Sequence, residues 1–408
     1  MKAKNGVLGG VLLLGGTCIG AGMLGLPVST AAAGFYPTIG AFLLVWFFMT
    51  CSALAYLEVS LRFKGETNLI SIAGRTMGHV PKVIAFGIFV LFLYSLMAAY
   101  TSGGTTMLAH IIGFDIKGHF HLFMMAILFA APFALLVYFG TLWVDRVNQI
   151  LMFGFITAFI AMCVWAFNSG PAVHINSVGE SKYLLFTFPL LVSAFGYQTL
   201  IPTLKTYLQE DVRKLRLTII VGGLLPLLVY AVWELIILNL IPTWGESGLV
   251  HMLNSGVNPA DAMTDYLTKY GEIFLLFEAW FTFFALTTSF MGVGLGITHF
   301  FEDALKFGKT SSHRIILVIL TFVPPIFYTL IYPQGFLVAL SYAGVFASIL
   351  LIIYPVLMAW SARYVRKLPG VYQMPGGKIL LLLTLLFGVF VIVADIMQQM
   401  GVFPIPHV

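Results

Sequence analysis

The chain has 408 residues, of which 60% are hydrophobic and only 9% are charged. Ordinary soluble domains carry about 25% charged residues, so the composition excludes a soluble protein and specifies one that crosses a membrane many times. The formal net charge of +5 is therefore no sign of a nucleic-acid partner, and its meaning lies in where the positive residues fall. Cys18, Cys51 and Cys163 all sit inside apolar segments and read as buried thiols, with no disulfide framework or metal cage expected.

A span needs about 20 apolar residues to cross a hydrocarbon core roughly 30 Å thick. That ruler divides the chain into eleven segments, at 6–33, 37–61, 82–112, 121–142, 147–168, 183–207, 216–241, 271–303, 313–332, 335–361 and 378–399. The first follows Lys2 and Lys4 and runs into STAAAG, which imitates a secretory signal and its cleavage site. Its apolar stretch is too long for a signal, and many more segments follow. The middle of this segment, GGTCIGAGMLGLP (15–27), interrupts the helix at mid-depth. Each backbone group freed in lipid costs several kcal/mol, so the interruption demands partners inside the protein.

Segment six is interrupted as well. Pro189, Gly196 and Pro202 puncture it, with SAFGYQ (193–198) at its centre. Segments one and six are five apart and so enter the membrane from opposite sides. Interrupted helices at corresponding places in two halves of opposite topology point to an inverted-repeat transporter. The N-terminal ends of half-helices present free N–H groups and positive dipole ends, which suit a carboxylate. Unwound carbonyls beside them suit an ammonium group or a small cation. An α-amino acid carries both groups. Glycine patches also serve close helix packing; packing is the expectation for Gly9, Gly10, Gly103 and Gly104, and a site is the expectation for 15–22 together with 193–198.

Further along, NPADAMTDYLTKYG (258–271) reads as a short helix capped by Asn258, with Pro259 in its first turn. Orientation follows from the positive residues. With the N-terminus in the cytoplasm, all of the 21 Lys and Arg except Lys117, Lys182 and Lys269 lie on the inner side. A missed or invented span would scramble that asymmetry.

At these interruptions the chain resembles the bacterial hydroxy and aromatic amino acid permeases, the tyrosine and tryptophan carriers. GTCIGAGMLGLP (16–27) is similar to their first-helix signature, LYSLMAAYTSGG (93–104) to their third helix, and RKLRLTIIVGGLLPLLVYAVW (213–233) to their seventh. ALTTSFMGVGLG (285–296) resembles the eighth, and FVPPIFYTLIYPQGFLVALSYAGV (322–345) the ninth and tenth. The resemblance implies an all-α membrane protein of eleven transmembrane helices. Spans 1–5 and 6–10 would form a LeuT-type 5+5 inverted repeat (about 6–168 and 183–361), followed by one extra helix (about 378–399), all in one domain. It also implies uptake of aromatic amino acids driven by the proton-motive force, across the inner membrane of a bacterium. Carried over by position, Thr17, Gly20, Ala21 and Gly22 would meet the substrate carboxylate, and Ser193, Ala194, Phe195 and Gly196 its ammonium group. Tyr94 or Tyr100 would close one wall, and Tyr197 and Gln198 would read the ring or hydroxyl. The tyrosine carriers hold a histidine near the position of Gln198 that this chain lacks, so strict tyrosine selectivity is not implied.

Coupling has two candidate sets. LTTSF and the later FFEDAL resemble the eighth helix of sodium-coupled relatives sharing the LeuT fold. There, hydroxyls at the positions of Thr287 and Thr288 join carbonyls near Gly15 and Cys18 around sodium, using ligands suited to a small hard cation. Such hydroxyls more often bond to their own helix. For protons, ionisable groups at membrane depth are costly and functional by default, which singles out Glu234 and Glu278. Proton coupling is the expectation and sodium the alternative. Glu58, one turn from Arg62, is expected to snorkel or pair, Asp395 lies outside the core repeat, and Glu302 with Asp303 reads as a solvated or gating pair. The 37 Phe are largely lipid-facing and interfacial, so they do not argue for an aromatic substrate.

Other classes fit poorly. No nucleophile–base constellation or Walker lysine is present. The histidines, including His110, His119, His121 and His299, never recur at i, i+3 or i+4 spacing, so an enzyme is not expected. A channel would advertise a filter loop. A broader neutral amino acid carrier on the same fold is the remaining alternative. The expected partners are an aromatic L-amino acid and the bilayer, with no nucleic acid, obligate protein partner or cofactor beyond the driving ion.

Overall fold

Helices satisfy every backbone group of a segment within that segment, which lipid requires. The computed structural model describes residues 6–65, 68–171, 179–255, 262–263, 266–307 and 310–402, and among them there are helices and no strands. Among the described residues ten helices are long and apolar enough to cross a membrane, and one bent pair makes an eleventh candidate. Span one is that pair, Val7–Cys18 and Ala21–Ala33, with a 49° bend. Spans two to six are Phe35–Leu61, His79–Ile111, Gly118–Phe139, Thr141–Asn168 and Ser181–Tyr207. Spans seven to eleven are Val212–Leu240, Glu272–Leu305, Ser311–Ile331, Phe336–Val365 and Gly377–Gln399. The protein is thus a multi-pass membrane protein. Its perimeter carries large apolar side chains such as Phe153 at 75% and Ile331 at 81% exposure, a surface that in water would be an aggregation liability.

Most boundaries match the apolar runs to within a few residues, and two differ for a stated reason. Gly78 (φ +105°) and Gly140 (φ +107°) adopt left-handed backbone open to glycine. Span three therefore begins at His79, and span four ends at Phe139, short of 142, with span five restarting at Thr141. The prolines mark starts as much as breaks. Pro27, Pro189 and Pro202 fall in the first turns of Leu26–Thr30, Phe188–Ala194 and Ile201–Tyr207, where a missing N–H costs nothing.

The first half of span one packs along span seven, and span ten along span three and the first half of span six. Span eight lies against spans five and three, and span nine against three and four. Span ten contains two π-helical stretches, Ser348–Ile353 and Ser361–Val365. The Leu351 carbonyl in the first of them accepts a hydrogen bond from Ser52 of span two. Gly9 and Gly10 lie against Tyr207 and Thr218, and Gly103 and Gly104 against Phe336 and Phe129, which is the close packing expected of them.

Of the two outcomes expected of Glu58, pairing is the one observed. Its side chain does not snorkel; it is fully buried. It pairs with Arg62 at 2.7 Å, accepts from Arg363 Nε at 2.7 Å and from a second Arg363 nitrogen, and accepts the Met374 N–H at 2.9 Å. The C-terminal ends of spans two and ten are tied to the 366–376 connection by this one carboxylate. Lys205 of span six adds bonds to the carbonyls of Phe63 (2.6 Å) and Ser60 (3.1 Å). Asn258 and Pro259, with the helix start proposed for them, lie outside the described residues, as do Lys2, Lys4 and Lys309.

Candidate functional site

Span one unwinds after Cys18 because Ile19 turns extended (φ −75°, ψ 99°) and Gly20 follows at φ −169°, ψ −153°. The chain then re-forms as a tight 3-10 turn, Ala21–Gly25, before the short helix Leu26–Thr30. Span six opens at Phe195, Gly196 and Tyr197, between Phe188–Ala194 and a 3-10 turn at Gln198–Leu200. The two openings touch. A Cβ placed on Gly22 would stand 3.6 Å from Ala194 Cα and 3.7 Å from Ala194 Cβ.

The freed backbone finds its partners on spans seven and eight. The Ala21 N–H donates to Ser289 Oγ at 3.0 Å, and Trp233 Nε1 donates to the Met23 carbonyl at 3.0 Å. Tyr230 is the link between the openings. Its hydroxyl lies 2.7 Å from the Cys18 carbonyl and 2.8 Å from the Ala194 carbonyl. A hydroxyl has one hydrogen to donate, so it serves these two carbonyls in alternation or as a shared donor. The Tyr230 ring is gripped edge-on by Phe195 at 5.1 Å and Phe42 at 6.3 Å. Tyr100 of span three reaches the same place, where its hydroxyl lies beside Ser289.

The structure thus brings together Cys18, Gly20, Ala21, Gly22, Ala194, Phe195 and Tyr100. Ser193 and Gly196 flank the opening, the Ser193 carbonyl accepting the Gly196 N–H at 3.3 Å. Others are placed elsewhere. Thr17 is exposed and bonds to its own helix at Leu13 (2.9 Å). Tyr94 donates to the Leu320 carbonyl on span nine at 2.6 Å. Tyr197 and Gln198 turn toward span two, where Tyr197 meets Thr50 at 3.1 Å and Gln198 Nε2 donates to the Met49 carbonyl at 3.1 Å. Gln198 Oε1 is buried without a partner among the described residues.

The sodium candidates are engaged within the protein. Thr287 and Thr288 each donate at 2.7 Å to the carbonyls of Phe283 and Phe284 in their own helix. The Gly15 carbonyl takes the Ile19 N–H at 3.1 Å, and that of Cys18 takes Tyr230. Among the described residues no group of three or more His, Cys, Asp or Glu could hold a metal ion.

Both carboxyl candidates are fully buried. Glu278 Oε1 accepts from Thr282 on the same helix at 2.9 Å. Glu234 bridges two spans, with its Oε1 2.5 Å from Thr30 Oγ1 and its Oε2 without a partner among the described residues. Thr30 Oγ1 also lies 2.7 Å from the Leu26 carbonyl, which can only accept.

Ser289, Tyr230 and Trp233 escape a reading of the sequence. Ser289 was visible as the third hydroxyl of LTTSF, and helical phase selects it: Ala285 and Ser289, four apart, both face Gly20. Nothing in the local sequence marks Tyr230 or Trp233.

Comparison with known proteins agrees with this architecture. Residues 3–395 match the profile of the tryptophan/tyrosine permease family. The chain is 33% identical over 393 residues to the tyrosine-specific transport system 1 of Haemophilus influenzae, covering 95% of this chain and 96% of that one. It is 32% identical to the tryptophan-specific transport protein of the same organism, covering 97% of each. The tryptophan-specific transport protein of Pseudomonas aeruginosa is 30% identical, over 98% of this chain and 97% of its own. With its spans, its two openings and nearly its whole length accounted for, the chain belongs to the tryptophan/tyrosine permease family, whose members are transport proteins and not enzymes.

Proposed function

We propose that the chain is a secondary active transporter of aromatic amino acids, tyrosine and tryptophan, working by alternating access as a proton symporter. The observation that carries this reading is the contact of the two openings, Gly22 against Ala194, with Tyr230 spanning both. The Gly20 and Gly22 N–H groups would meet a carboxylate, with the Ala21 N–H held by Ser289, and carbonyls of 193–196 would meet an ammonium group. A carbonyl oxygen has two lone pairs, so Ala194 can keep Tyr230 and take the ammonium as well. The tyrosine- and tryptophan-specific relatives supply the side-chain class, and the ring wall of Tyr100, Phe195 and Phe42 is compatible with it.

The architecture proposed is a 5+5 inverted repeat, spans one to five and six to ten, with span eleven added. The N-terminus lies in the cytoplasm and the C-terminus outside, in the inner membrane of a bacterium. No cofactor is needed beyond the driving ion.

Proton coupling is assigned to Glu234. Thr30 has one hydroxyl hydrogen, and both Leu26 O and Glu234 Oε1 lie within bonding distance of it. The count closes when Thr30 donates to Leu26 and a protonated Glu234 donates to Thr30. Thr30 sits on the half of span one beyond the opening, so gain or loss of that proton acts on the element that binds substrate.

The site is tested by filling it. Gly20→Leu and Gly196→Leu, confirmed as folded by gel filtration and thermal melting, are expected to lose binding of labelled tyrosine and tryptophan. Undiminished binding by folded Gly20→Leu protein overturns the site.

A further inference from the structure

A cavity of about 490 Å³ lies beyond the two openings, between the second half of span one, the start of span six, the 249–255 helix, and spans ten and eleven. Its floor is Leu190 and Leu337, and both also close on Gly25, at the end of the span-one opening. The same two side chains therefore lie between this cavity and the end of the span-one turn. On the orientation proposed above, it is the outer vestibule.

The chemistry of its wall is uneven. Asp395 of span eleven lines it, although the residue is only 4% exposed. Its carboxylate accepts from Ser341 at 2.7 Å and from Gln399 at 2.6 Å. A carboxylate offers about four acceptor positions, so two remain. Among the described residues no Lys, Arg or His lines the cavity, and Asp395 forms no ion pair. A poorly hydrated carboxylate without a cation is costly, and a cationic ligand relieves that cost. Tyr332, Tyr342 and Phe186 supply ring surfaces on the same wall, and Gln334 and Gln398 supply amide donors.

We infer that this cavity is a second binding site for an aromatic amino acid, occupied before the closed layer opens. The ammonium group pairs with Asp395, the ring lies among Tyr332, Tyr342 and Phe186, and the carboxylate meets the amides of Gln334 and Gln398. Span eleven, outside the proposed repeat, thereby acquires a role in capture. The inference rests on the substrate class proposed above.

Saturation binding of labelled tryptophan and tyrosine to the purified full-length protein tests it. Wild type is expected to take up two molecules per chain, and Asp395→Asn, Gly20→Leu and Tyr342→Ala separate them. Asp395→Asn keeps one, the inner; Gly20→Leu keeps one, the outer. Tyr342→Ala, on the exposed cavity wall and away from the Asp395 hydrogen bonds, is expected to weaken the outer molecule at least tenfold; it decides the matter if Asp395→Asn does not fold. One molecule per wild-type chain, lost in Gly20→Leu and unaffected by Asp395→Asn or Tyr342→Ala, overturns the inference and leaves the inner site standing. Binding lost in Asp395→Asn but complete in Gly20→Leu overturns the inner site and leaves the cavity.

Discussion

Replacing Tyr230 by Phe isolates one hydroxyl at the point where the two openings join. The ring stays, and with it the edge contacts to Phe195 at 5.1 Å and Phe42 at 6.3 Å, so packing changes little. What is lost is the donor held 2.7 Å from Cys18 O and 2.8 Å from Ala194 O. Hydrogen bonds between membrane helices average about 0.6 kcal/mol and reach about 1.7 kcal/mol. A buried carbonyl left without its partner adds to this, up to a total of about 1–3 kcal/mol. Tyr230→Phe is therefore expected to melt a few degrees below wild type. Because Tyr230 also fixes the direction of the Ala194 carbonyl, affinity for tryptophan should fall roughly 3- to 20-fold, the same 0.6–1.7 kcal/mol expressed as a binding constant. Thermal melting with and without ligand, together with equilibrium binding, measures both. A Tyr230→Phe protein with unchanged melting temperature and unchanged affinity refutes the claim that this hydroxyl holds the openings together.

Glu234→Gln preserves a donor toward Thr30 and the shape of a protonated acid, so stability should stay within about 1 kcal/mol of wild type. Exchange of substrate across the membrane should persist while accumulation driven by a pH gradient disappears; retained accumulation removes Glu234 from the coupling role. Glu58→Gln leaves Arg62 and Arg363 buried without their counter-charge, a change that costs about 3–5 kcal/mol. Asp115→Asn, at an exposed pair with Lys117, should cost about 0–1 kcal/mol; equal effects in melting assays would contradict the buried clamp. Asp211 caps span seven, and the backbone N–H of Lys214, first among its partners, holds its carboxyl below the usual carboxylate range. A lowered folded value means that the cap's contribution is present above the unfolded value of about 3.9 and fades as pH falls through the folded one. Asp211→Asn should lack that component of acid sensitivity, which melting curves between neutral and acidic pH will detect.

Apolar length and punctuation made the spans and both openings legible, because lipid leaves helix as the only solution and Gly or Pro as the only interruptions. Partners across the bundle were not legible. Glu58 and Arg363 are distant in sequence, and their union depends on spans two and ten meeting. Tyr94 and Tyr100 looked equivalent along the chain, yet six residues on a helix turn about 240°, so one meets span nine while the other meets Ser289. The 3-10 turn after Gly196 rotates Tyr197 and Gln198 toward span two, a local geometry no residue pattern announces. Thr287 and Thr288 invited a cation reading by type, whereas helical phase gives the opening to Ser289.

Proteoliposomes containing the purified protein offer the most direct test of proton-driven carriage of aromatic amino acids. Labelled tyrosine or tryptophan is supplied outside, with either an imposed pH gradient (alkaline inside) or an imposed sodium gradient, against a panel of unlabelled amino acids. The expected result is accumulation that follows the pH gradient, collapses with a proton ionophore and is competed by aromatic amino acids but not by serine, threonine or valine. Uptake that follows sodium and ignores the pH gradient, or that the small neutral amino acids compete equally well, contradicts the account.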